Sequence, residues 1–335
     1  MRVLIVGGTG VISNGITPRL IERGDEVVLF NRGTTAAEFE GDYEVIVGDR
    51  DDNEAFERTM LAQEPFDCVI EMIASAPEWV ESDIRAFRGR TSQYIFTSTV
   101  AAYTKPAAVC PITESAERSP DPVFTYGYEN AQCEQLLESV HGDDFPVTII
   151  RPGNTYFRKF AYTFGSATFW IDRMRKSMPI IVHGDGQAYW ALAHRDDVGR
   201  AFANAVGNAG AIGEDYHITS EESLTWDGIY RTVAEAAGAP EPELVHIPTD
   251  VLAAATPLAE ITRLNYQYNN IFDNSKAKRD LGFEYTIPFF QGATEAVRML
   301  DERGEVDSAE DFPWYDEILA AWRDVSKGMT GLDVS

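Results

Sequence analysis

Small residues recur at every third position directly after the apolar run Val3–Val6: Gly7, Gly10 and Ser13. Glycine at position 7 permits a tight turn, glycine at position 10 lets the backbone approach a phosphate, and a small residue at position 13 allows close helix packing. A helix that begins near Gly10 would present free N–H groups and a positive dipole end to the phosphates. The spacing therefore predicts dinucleotide binding, with a purely structural turn as the alternative. The residues expected to contact the dinucleotide here are Gly7, Thr9, Gly10, Val11 and Ile12.

The ends of the next two candidate strands indicate which dinucleotide fits. An acidic residue after the second strand would bind the ribose 2′-hydroxyl and repel a 2′-phosphate, but Asn31-Arg32 stands there instead. Arg32 could pair with the 2′-phosphate and stack on adenine, so NADP is favoured over NAD unless Arg32 is only a solvated charge. Asp49 could accept from the adenine amino group or could instead cap a helix at Asn53–Gln63. The cofactor residues predicted at these strand ends are Asn31, Arg32, Asp49 and Arg50.

Short β-branched runs alternate with amphipathic stretches through the first half of the chain. Helical patterns at Thr17–Arg23 and Glu54–Gln63 separate some of these runs. Alternation at this spacing predicts an α/β fold with a Rossmann-like, doubly wound parallel sheet, whose ligands bind at the carboxyl ends of the strands. The predicted strands are Val3–Val6, Val27–Phe30, Tyr43–Val47, Cys68–Glu71, Tyr94–Thr97 and Val147–Arg151.

The pattern loosens in the second half of the chain. Aromatic residues concentrate in Tyr156–Trp170, and amphipathic helices are predicted around Trp226–Ala237 and Tyr315–Val325. These features predict a smaller C-terminal, substrate-binding lobe that covers the ligand edge of the sheet. We therefore expect an NAD(P)-binding domain over residues 1–160 and a mainly substrate-binding lobe over residues 161–335, partly interleaved with the first.

The formal net charge of −26 is the most unusual global property of the 335-residue chain. A surface of that sign repels nucleic acid and anionic membranes, so neither is an expected partner. The charge fits either adaptation to high salt, where self-repulsion is screened, or an ordinary acidic protein. The sequence has no apolar run long enough to cross a bilayer, and its apolar start enters the glycine loop at once, which predicts a cytoplasmic protein. Three scattered cysteines, and histidines without ligand spacing, predict neither disulfides nor a metal site.

Several further motifs follow the glycine loop along the chain. In order, the segments are the Gly7–Ser13 loop, Gly48-Asp49, Phe96–Thr99 with Tyr103, Tyr126-Gly127, Arg151–Tyr156, His194–Val198, and Asn274–Ala277 with Leu281–Phe283. This series resembles the extended short-chain dehydrogenase/reductase family, the NAD-dependent epimerase/dehydratase group, over most of the chain. Members typically act on nucleotide sugars bound between two lobes, using a tightly held NAD(P). The resemblance therefore implies a sugar or nucleotide-sugar substrate and a homodimer, for which helices around Ser82–Arg88 and Gly127–Val140 are candidates.

The same resemblance implies that Tyr126 is the catalytic tyrosine and Thr99 its hydroxyl partner. In the family, the tyrosine removes a hydroxyl proton while hydride leaves the same carbon for the nicotinamide, and a lysine four residues later favours the phenolate. This chain has Asn130 at the lysine position. A free phenol, with a pKa near 10, is only about one part in a thousand ionised at neutral pH, which corresponds to roughly 4 kcal/mol of lost activation.

Three explanations of Asn130 compete. The positive charge of the nicotinamide could suffice, giving a slow enzyme. Tyr128 or Lys105 could take the place of the missing lysine. Alternatively, the protein binds the dinucleotide without turning it over. Apart from these three explanations, Tyr126 could be merely a packed aromatic residue.

The residues after Thr99 narrow the implied chemistry. Family members that dehydrate sugars carry an Asp-Glu pair there, whereas this chain has Val100 and Ala101, and neither can transfer a proton. The difference favours epimerisation or simple oxidation and reduction.

The remaining predicted site residues come from the carboxyl edge of the sheet and from the second lobe. The further cofactor residues are Met72, Ile73, Thr97, Ser98, Pro152 and Asn154, together with Tyr126. The substrate residues are Thr99, Asn154, Trp170, Arg173, Tyr189 and His194. Arg173 could clamp a phosphate or carboxylate, while ordinary packing is the alternative for the aromatic residues and for His194.

Three functions stay open at this point. The first is a sugar-directed oxidoreductase, most simply an epimerase that passes through a transient ketone. The second is a non-catalytic dinucleotide sensor, which Asn130 would explain. The third is a relative of plastid RNA-binding proteins, whose glycine loop and a segment like Phe30–Gly33 look similar, although the acidic surface speaks against it.

Overall fold

A computed structural model describes residues 1–160 and 165–330. The chain forms two compact units, each assembled from three segments. Unit 1 comprises Met1–Tyr156, Ala191–Glu221 and Ile271–Ile287, and unit 2 comprises Phe157–Trp190, Glu222–Asn270 and the chain from Pro288 onward. The first passage into unit 2 therefore lies close to the expected boundary at residue 160. Two later segments return to unit 1, so no single boundary divides the chain.

The described residues form the following strands and α-helices. In chain order, the strands are β1 (Arg2–Val6), β2 (Glu26–Asn31), β3 (Glu44–Val47), β4 (Phe66–Glu71), β5 (Thr91–Thr97), β6 (Val147–Pro152), β7 (Asn154–Tyr156), β8 (Ile180–His183), β9 (Tyr189–Trp190), β10 (Leu192–His194), β11 (Asp215–Ile218), β12 (Leu224–Thr225) and β13 (Leu244–Ile247). The α-helices are α1 (Ser13–Arg23), α2 (Asn53–Leu61), α3 (Pro77–Phe87), α4 (Thr125–Val140), α5 (Phe169–Arg175), α6 (Arg195–Ala205), α7 (Trp226–Ala236), α8 (Thr249–Ala255), α9 (Ser275–Leu281), α10 (Phe289–Arg303) and α11 (Pro313–Thr330).

Unit 1 is built on a parallel sheet of seven strands in the order β11-β6-β5-β4-β1-β2-β3. The chain order of the strands reverses between the neighbours β1 and β4. Ligands of open α/β sheets bind at such a switch point. The carboxyl ends of β1, β2, β4 and β5 lie at the same edge because the strands are parallel. The fold is therefore the α/β, Rossmann-like arrangement that the alternating pattern predicts.

Helices cover both faces of this sheet. On β1, Val3 and Ile5 pack in a core with residues of α1 and α6, whereas Leu4 and Val6 pack in a second core with residues of α2, α3 and α4. Burial on both faces explains why the strands read as continuous apolar runs rather than alternating ones. The structure confirms the six predicted strands: β3 starts one residue later than predicted, at Glu44, and the other five extend beyond their predicted ends.

Strand β11 is absent from the sequence-based prediction. Two of its four residues, Asp215 and His217, are polar, so the run Asp215–Ile218 lacks the apolar signal. Its Tyr216 and Ile218 nevertheless enter the same core as β1. Long-range pairing with β6 stabilises this strand, and local sequence does not reveal such pairing.

Unit 2 has a largely aromatic interior. α5 contributes Trp170, which lies edge-on to Tyr230 of α7 with ring centroids 5.1 Å apart. Strands β8 and β13 pair in parallel, and β9 pairs antiparallel with β12. The predicted helices of this half are confirmed as α7 and a longer α11. Part of the predicted aromatic segment Tyr156–Trp170, residues 161–164, lies outside the described residues.

No helix in the described part of the chain combines the length and the apolar character needed to cross a membrane. Likewise, within residues 1–160 and 165–330, no three His, Cys, Asp or Glu side chains come together as metal ligands.

Candidate active site

The turn after β1 requires glycine at position 7. Gly7 has a φ of +87°, in the left-handed region that favours glycine. A Cβ atom there would also lie 2.5 Å from Cγ1 of Ile73, so a side chain has no room. Ser13 opens α1, and its Oγ donates to the carbonyl oxygen of Gly7 at 2.7 Å. The helix thus starts later than expected, and the hydroxyl at position 13 closes the turn.

The amino end of α1 presents unpaired backbone donors. The amides of Val11 and Ile12 have no acceptor among the described residues, and no side chain caps the helix. The side-chain amide of Asn14 donates to the carbonyl oxygens of Thr9 at 3.1 Å and Gly10 at 2.8 Å, which holds the loop in place. Free N–H groups at a positive helix end fit the pyrophosphate of a dinucleotide.

The segment after β2 carries the cation Arg32, which is accessible to a ligand. Oδ1 of Asn31 accepts from the amide of Gly33 at 2.8 Å, which fixes the turn. Arg32 is exposed, and its guanidinium has no ion-pair partner among residues 1–160 and 165–330. The Arg32 side chain is therefore free to meet an anion at the carboxyl edge of the sheet.

Asp49 follows β3 and is also exposed. Its Oδ1 accepts from the amide of Asp51 at 3.1 Å. The cap of α2 is Asp52, whose side chain accepts from the amide of Ala55 at 2.9 Å. The capping role considered for Asp49 thus belongs to Asp52, and the second carboxylate oxygen of Asp49 faces no protein donor among the described residues.

Arg50, expected at the cofactor, is buried inside unit 1. Its Nη2 donates to Asp83 at 2.9 Å, and its Nε donates to Glu71 at 3.5 Å. The guanidinium also lies 4.1 Å from the ring centroid of Phe56. Only 3% of Arg50 is exposed. Because two buried carboxylates and an aromatic face hold this cation, it supports the site from within and cannot reach a bound nucleotide.

Glu71 is a functional neighbour that sequence reasoning missed. Its Oε1 accepts from the amides of Ile73 at 2.6 Å and Ala74 at 2.9 Å. The carboxylate therefore shapes the loop that packs against Gly7. Burial raises the pKa of Glu71, and the nearby Arg50 opposes that rise. The available signal was an acidic residue at the end of an otherwise apolar strand.

The loop after β4 is also tied to β5. Oγ1 of Thr97 donates to Sδ of Met72 at 3.0 Å. The amide of Met72 donates to the carbonyl oxygen of Val6 at 3.0 Å. Met72 and Thr97 thus join the ends of β1, β4 and β5 at the edge where a cofactor is expected.

Tyr126 and Thr99 meet through their side chains. Thr99 caps a short 3₁₀ helix at Val100–Ala102 and accepts from the amide of Ala101 at 3.1 Å, which leaves its hydroxyl proton for another acceptor. The Thr99 hydroxyl lowers the pKa of the Tyr126 phenol. Surrounding protein raises the pKa more strongly, so the net pKa of Tyr126 lies above 10, even though 52% of the residue is exposed.

Gly127 makes this meeting possible. A Cβ atom at Gly127 would lie 2.5 Å from the carbonyl oxygen of Ala101. The first turn of α4 can therefore approach the 3₁₀ helix only with glycine at this position. The sequence pair Tyr126-Gly127 thus places the phenol beside Thr99.

Asn130 occupies the next turn of α4 and is 2% exposed. Its Nδ2 donates to the backbone carbonyl oxygen of Tyr126 at 2.8 Å. No charged side chain of the described residues contributes to the pKa of the Tyr126 phenol. Burial lowers the pKa of Lys105 to about 8, and its Nζ lies 5.8 Å from the ring centroid of Phe272. Neither Asn130 nor Lys105 therefore supplies the charge that a lysine at position 130 would supply.

Three further predicted cofactor residues lie along the same edge. Ser98 is 3% exposed, and its hydroxyl donates to Glu134 rather than facing solvent. Pro152 ends β6 and is buried, whereas Asn154 opens β7 and is half-buried opposite Leu192. Among these three residues, Asn154 is the most exposed.

Two of the predicted substrate residues in unit 2 are internal. Arg173 is fully buried; its Nη2 donates to Asp316 at 2.7 Å, and its guanidinium stacks 4.4 Å from the ring centroid of Tyr315. Trp170 is 2% exposed, and its Nε1 donates to the carbonyl oxygen of Ala167 at 2.9 Å. Both side chains therefore hold unit 2 together, which leaves Arg173 unable to clamp a ligand phosphate.

The other two predicted substrate residues differ in exposure. Tyr189 of unit 2 is 36% exposed. His194 of unit 1 is 1% exposed and caps α6, because its Nδ1 accepts from the amide of Asp196 at 3.3 Å. His194 thus performs a structural task, while Tyr189 offers a phenol at the surface.

The chain matches the NAD dependent epimerase/dehydratase family over residues 3–219. It is 28% identical over 338 aligned positions to the chloroplast stem-loop binding protein of 41 kDa b of Arabidopsis thaliana, covering 95% of this chain and 84% of that protein. It is 26% identical over 319 positions to 2′-dehydrokanamycin reductase of Streptomyces kanamyceticus, covering 92% of this chain and 87% of that protein.

Solved structures share the fold at lower identity. UDP-glucose 4-epimerase of Thermotoga maritima, solved with UDP-glucose, superposes with a TM-score of 0.71 at 22% identity over 90% of this chain and 99% of that one. An epimerase of Methanothermobacter thermautotrophicus superposes with a TM-score of 0.73 at 18% identity over 90% and 93%.

Proposed function

This chain belongs to the NAD-dependent epimerase/dehydratase family, and from that premise we propose that it oxidises and reduces a carbinol carbon of a sugar. The pair Thr99 and Tyr126 carries the proposal. It stands after β5 of the same sheet whose β1 leads into the Gly7 turn. A proton acceptor and a phosphate-binding helix end at one sheet edge are the two parts that a hydride-transfer enzyme needs.

The free amides of Val11 and Ile12 fit the pyrophosphate of the coenzyme, and the Gly7 turn leaves room for its close approach. When bound, the nicotinamide supplies the hydride acceptor. Arg32 would pair with a 2′-phosphate, since it has no acidic partner among the described residues, so we propose NADP over NAD. Asp49 would accept from the adenine amino group.

Tyr126 would take the hydroxyl proton of the substrate, and the Thr99 hydroxyl would donate to the phenolate oxygen that takes it. Without a lysine at position 130, the phenolate is scarce at neutral pH, because the pKa of Tyr126 is raised. We therefore propose a slow enzyme whose rate increases with pH.

Val100 and Ala101 point to redox chemistry without dehydration. Both side chains are buried and apolar, so the segment after Thr99 has no acid to protonate a leaving hydroxyl. Removal of hydride and a proton from one carbinol gives a ketone. Return of hydride to the other face of that ketone, with the proton returned to its oxygen, completes an epimerisation, whereas addition of hydride and a proton to a ketone supplied as substrate is a reduction. The substrate would be a nucleotide sugar or a related sugar.

The related proteins support the chemistry in different ways. One relative is a reductase and one structural neighbour an epimerase of a nucleotide sugar by name. The stem-loop binding relative does not lead us to propose RNA binding, because a net charge of −26 opposes a polyanion. A homodimer through α3 and α4 and a cytoplasmic location stay predictions.

The test is transfer of label. The protein is incubated with NADPH carrying deuterium at the transferable position and with a panel of keto-sugars and nucleotide sugars, and the sugars are then analysed by mass spectrometry. We expect deuterium in at least one sugar with wild type and none with Tyr126→Phe. Equal incorporation by both proteins would refute the role of Tyr126.

A second candidate function is a non-catalytic dinucleotide sensor. Its support is the Asn130 side chain, which is turned onto its own helix where a cation is needed. The two candidates differ in one result: a sensor binds NADP but transfers no label from any sugar, and Asn130→Lys then creates turnover that wild type lacks.

A further inference from the structure

Glu134 is a buried carboxylate on α4, about two helical turns after Tyr126. None of it is exposed. Arg151 of β6 binds it with two hydrogen bonds, from Nε to Oε1 at 2.7 Å and from Nη2 to Oε2 at 2.9 Å. Nη1 of Arg118, from the segment before α4, donates to Oε2 at 2.6 Å. Two guanidinium groups thus already neutralise this carboxylate.

A further donor to Glu134 comes from the residue that follows β5. The hydroxyl of Ser98 donates to Oε1. Ser98 directly precedes Thr99, and Glu134 shares α4 with Tyr126. One carboxylate therefore joins the two elements that carry the two members of the hydroxyl–phenol pair.

This link acts through geometry. No charge on residues 1–160 and 165–330, including that of Glu134, contributes to the pKa of the Tyr126 phenol, whereas the Thr99 hydroxyl does. Glu134 already accepts three hydrogen bonds from Arg118 and Arg151, so its charge is compensated without the hydroxyl of Ser98. The Ser98 bond fixes where the strand end stands relative to the helix.

We propose that Ser98 and Glu134 are positioning residues that hold the Thr99 hydroxyl against the Tyr126 phenol. The proposal rests on the proposed roles of Thr99 and Tyr126. It reassigns Ser98, whose sequence position suggested a cofactor contact, to a contact with α4. It also explains why an acidic side chain stands in the interior of α4, between Cys133 and Leu137, which both pack in the sheet core.

The experiment compares Ser98→Ala with Arg118→Gln. Both variants remove one donor to Glu134, but only the first cuts the link to Thr99. The full-length protein is labelled with 3-fluorotyrosine, and the ¹⁹F signal that disappears in Tyr126→Phe reports the Tyr126 phenol during a pH titration. The kcat and KM values and the melting temperature are measured on the same proteins without the label.

We expect Ser98→Ala to raise the pKa of the Tyr126 phenol, because the Thr99 hydroxyl that lowers this pKa is displaced. We also expect kcat to fall about tenfold or more at unchanged KM, as misplaced catalytic groups do. Ser98→Thr keeps a hydroxyl and should restore both values towards wild type. Arg118→Gln should lower the melting temperature at least as much while leaving the pKa and kcat close to wild type.

Two results would overturn the proposal. The first is a Tyr126 pKa in Ser98→Ala that equals the wild-type value. The second is an equal change in Arg118→Gln, which would mean that general loosening of the cluster explains the effect. If wild type transfers no hydride, the proposed function fails, but the fluorine titration still decides whether Ser98 positions Thr99.

Discussion

The substitution Asn130→Lys tests directly why this site lacks a cation. Positions 126 and 130 are neighbours on one face of α4, about 5–6 Å apart at their Cβ atoms. A lysine ammonium held about 5–6 Å from the phenolate oxygen gains roughly 3 kcal/mol at an effective dielectric constant of about 20. That energy corresponds to a fall of about two units in the pKa of the Tyr126 phenol. The phenolate fraction at neutral pH, and with it kcat, should therefore rise by as much as about a hundredfold.

The assay is kcat measured from pH 6 to pH 10 with the sugar that takes up label most rapidly. Wild-type kcat should rise about tenfold per pH unit over the whole range, because the pKa of Tyr126 lies above it. In Asn130→Lys the profile should level off about two pH units earlier than in wild type. Asn130→Met is the matched control, since it also removes the hydrogen bond to the Tyr126 carbonyl oxygen but adds no charge. A folded Asn130→Lys protein with the pH profile of Asn130→Met would refute the reasoning.

Four other substitutions test separate parts of the structure. Arg32→Ala should weaken NADP by about tenfold or more and leave NAD unchanged in calorimetry, because only NADP carries the 2′-phosphate. Gly7→Ala should abolish coenzyme binding, since its Cβ meets Ile73 and its φ is +87°; a wild-type Kd would contradict this. Arg50→Met should lower the free energy of unfolding by about 3–5 kcal/mol in urea, because Glu71 and Asp83 lose their partner. His217, whose pKa burial lowers to about 4, stays neutral in the fold. The contribution of neutral His217 to the free energy of unfolding is therefore fully present above the unfolded pKa near 6.5 and is lost as the pH falls towards 4. His217→Asn should make the free energy of unfolding, measured by urea titration at each pH, fall less steeply over that range.

The sequence predicts the fold of unit 1 well because its strands are buried on both faces. Continuous apolar runs such as Val3–Val6 identify a strand without any knowledge of its partners. The Gly7 turn is equally local, since its need for glycine follows from one φ angle and one close contact. Strand β11 is not predicted, because its alternate residues Asp215 and His217 are polar and form hydrogen bonds with partners that are distant in sequence.

Charged residues show the limit of such reasoning most clearly. Arg50 and Arg173 look like anion ligands in the sequence, yet each is buried beside acidic residues more than 20 positions away. Glu71 and Glu134 gave no sequence signal of comparable strength, although both shape the site. A sequence shows that a side chain is charged, but only the packed structure shows whether its partner is internal.

Binding of nicotinamide nucleotide to the amino end of α1 is the claim on which the proposed chemistry depends. Isothermal titration calorimetry of the protein, stripped of bound nucleotide by mild denaturation and refolding, measures that binding directly. The account predicts saturable binding of NADP, weaker binding of NAD, and loss of both in Gly7→Ala. Absence of heat for both nucleotides with a folded wild-type protein would contradict it.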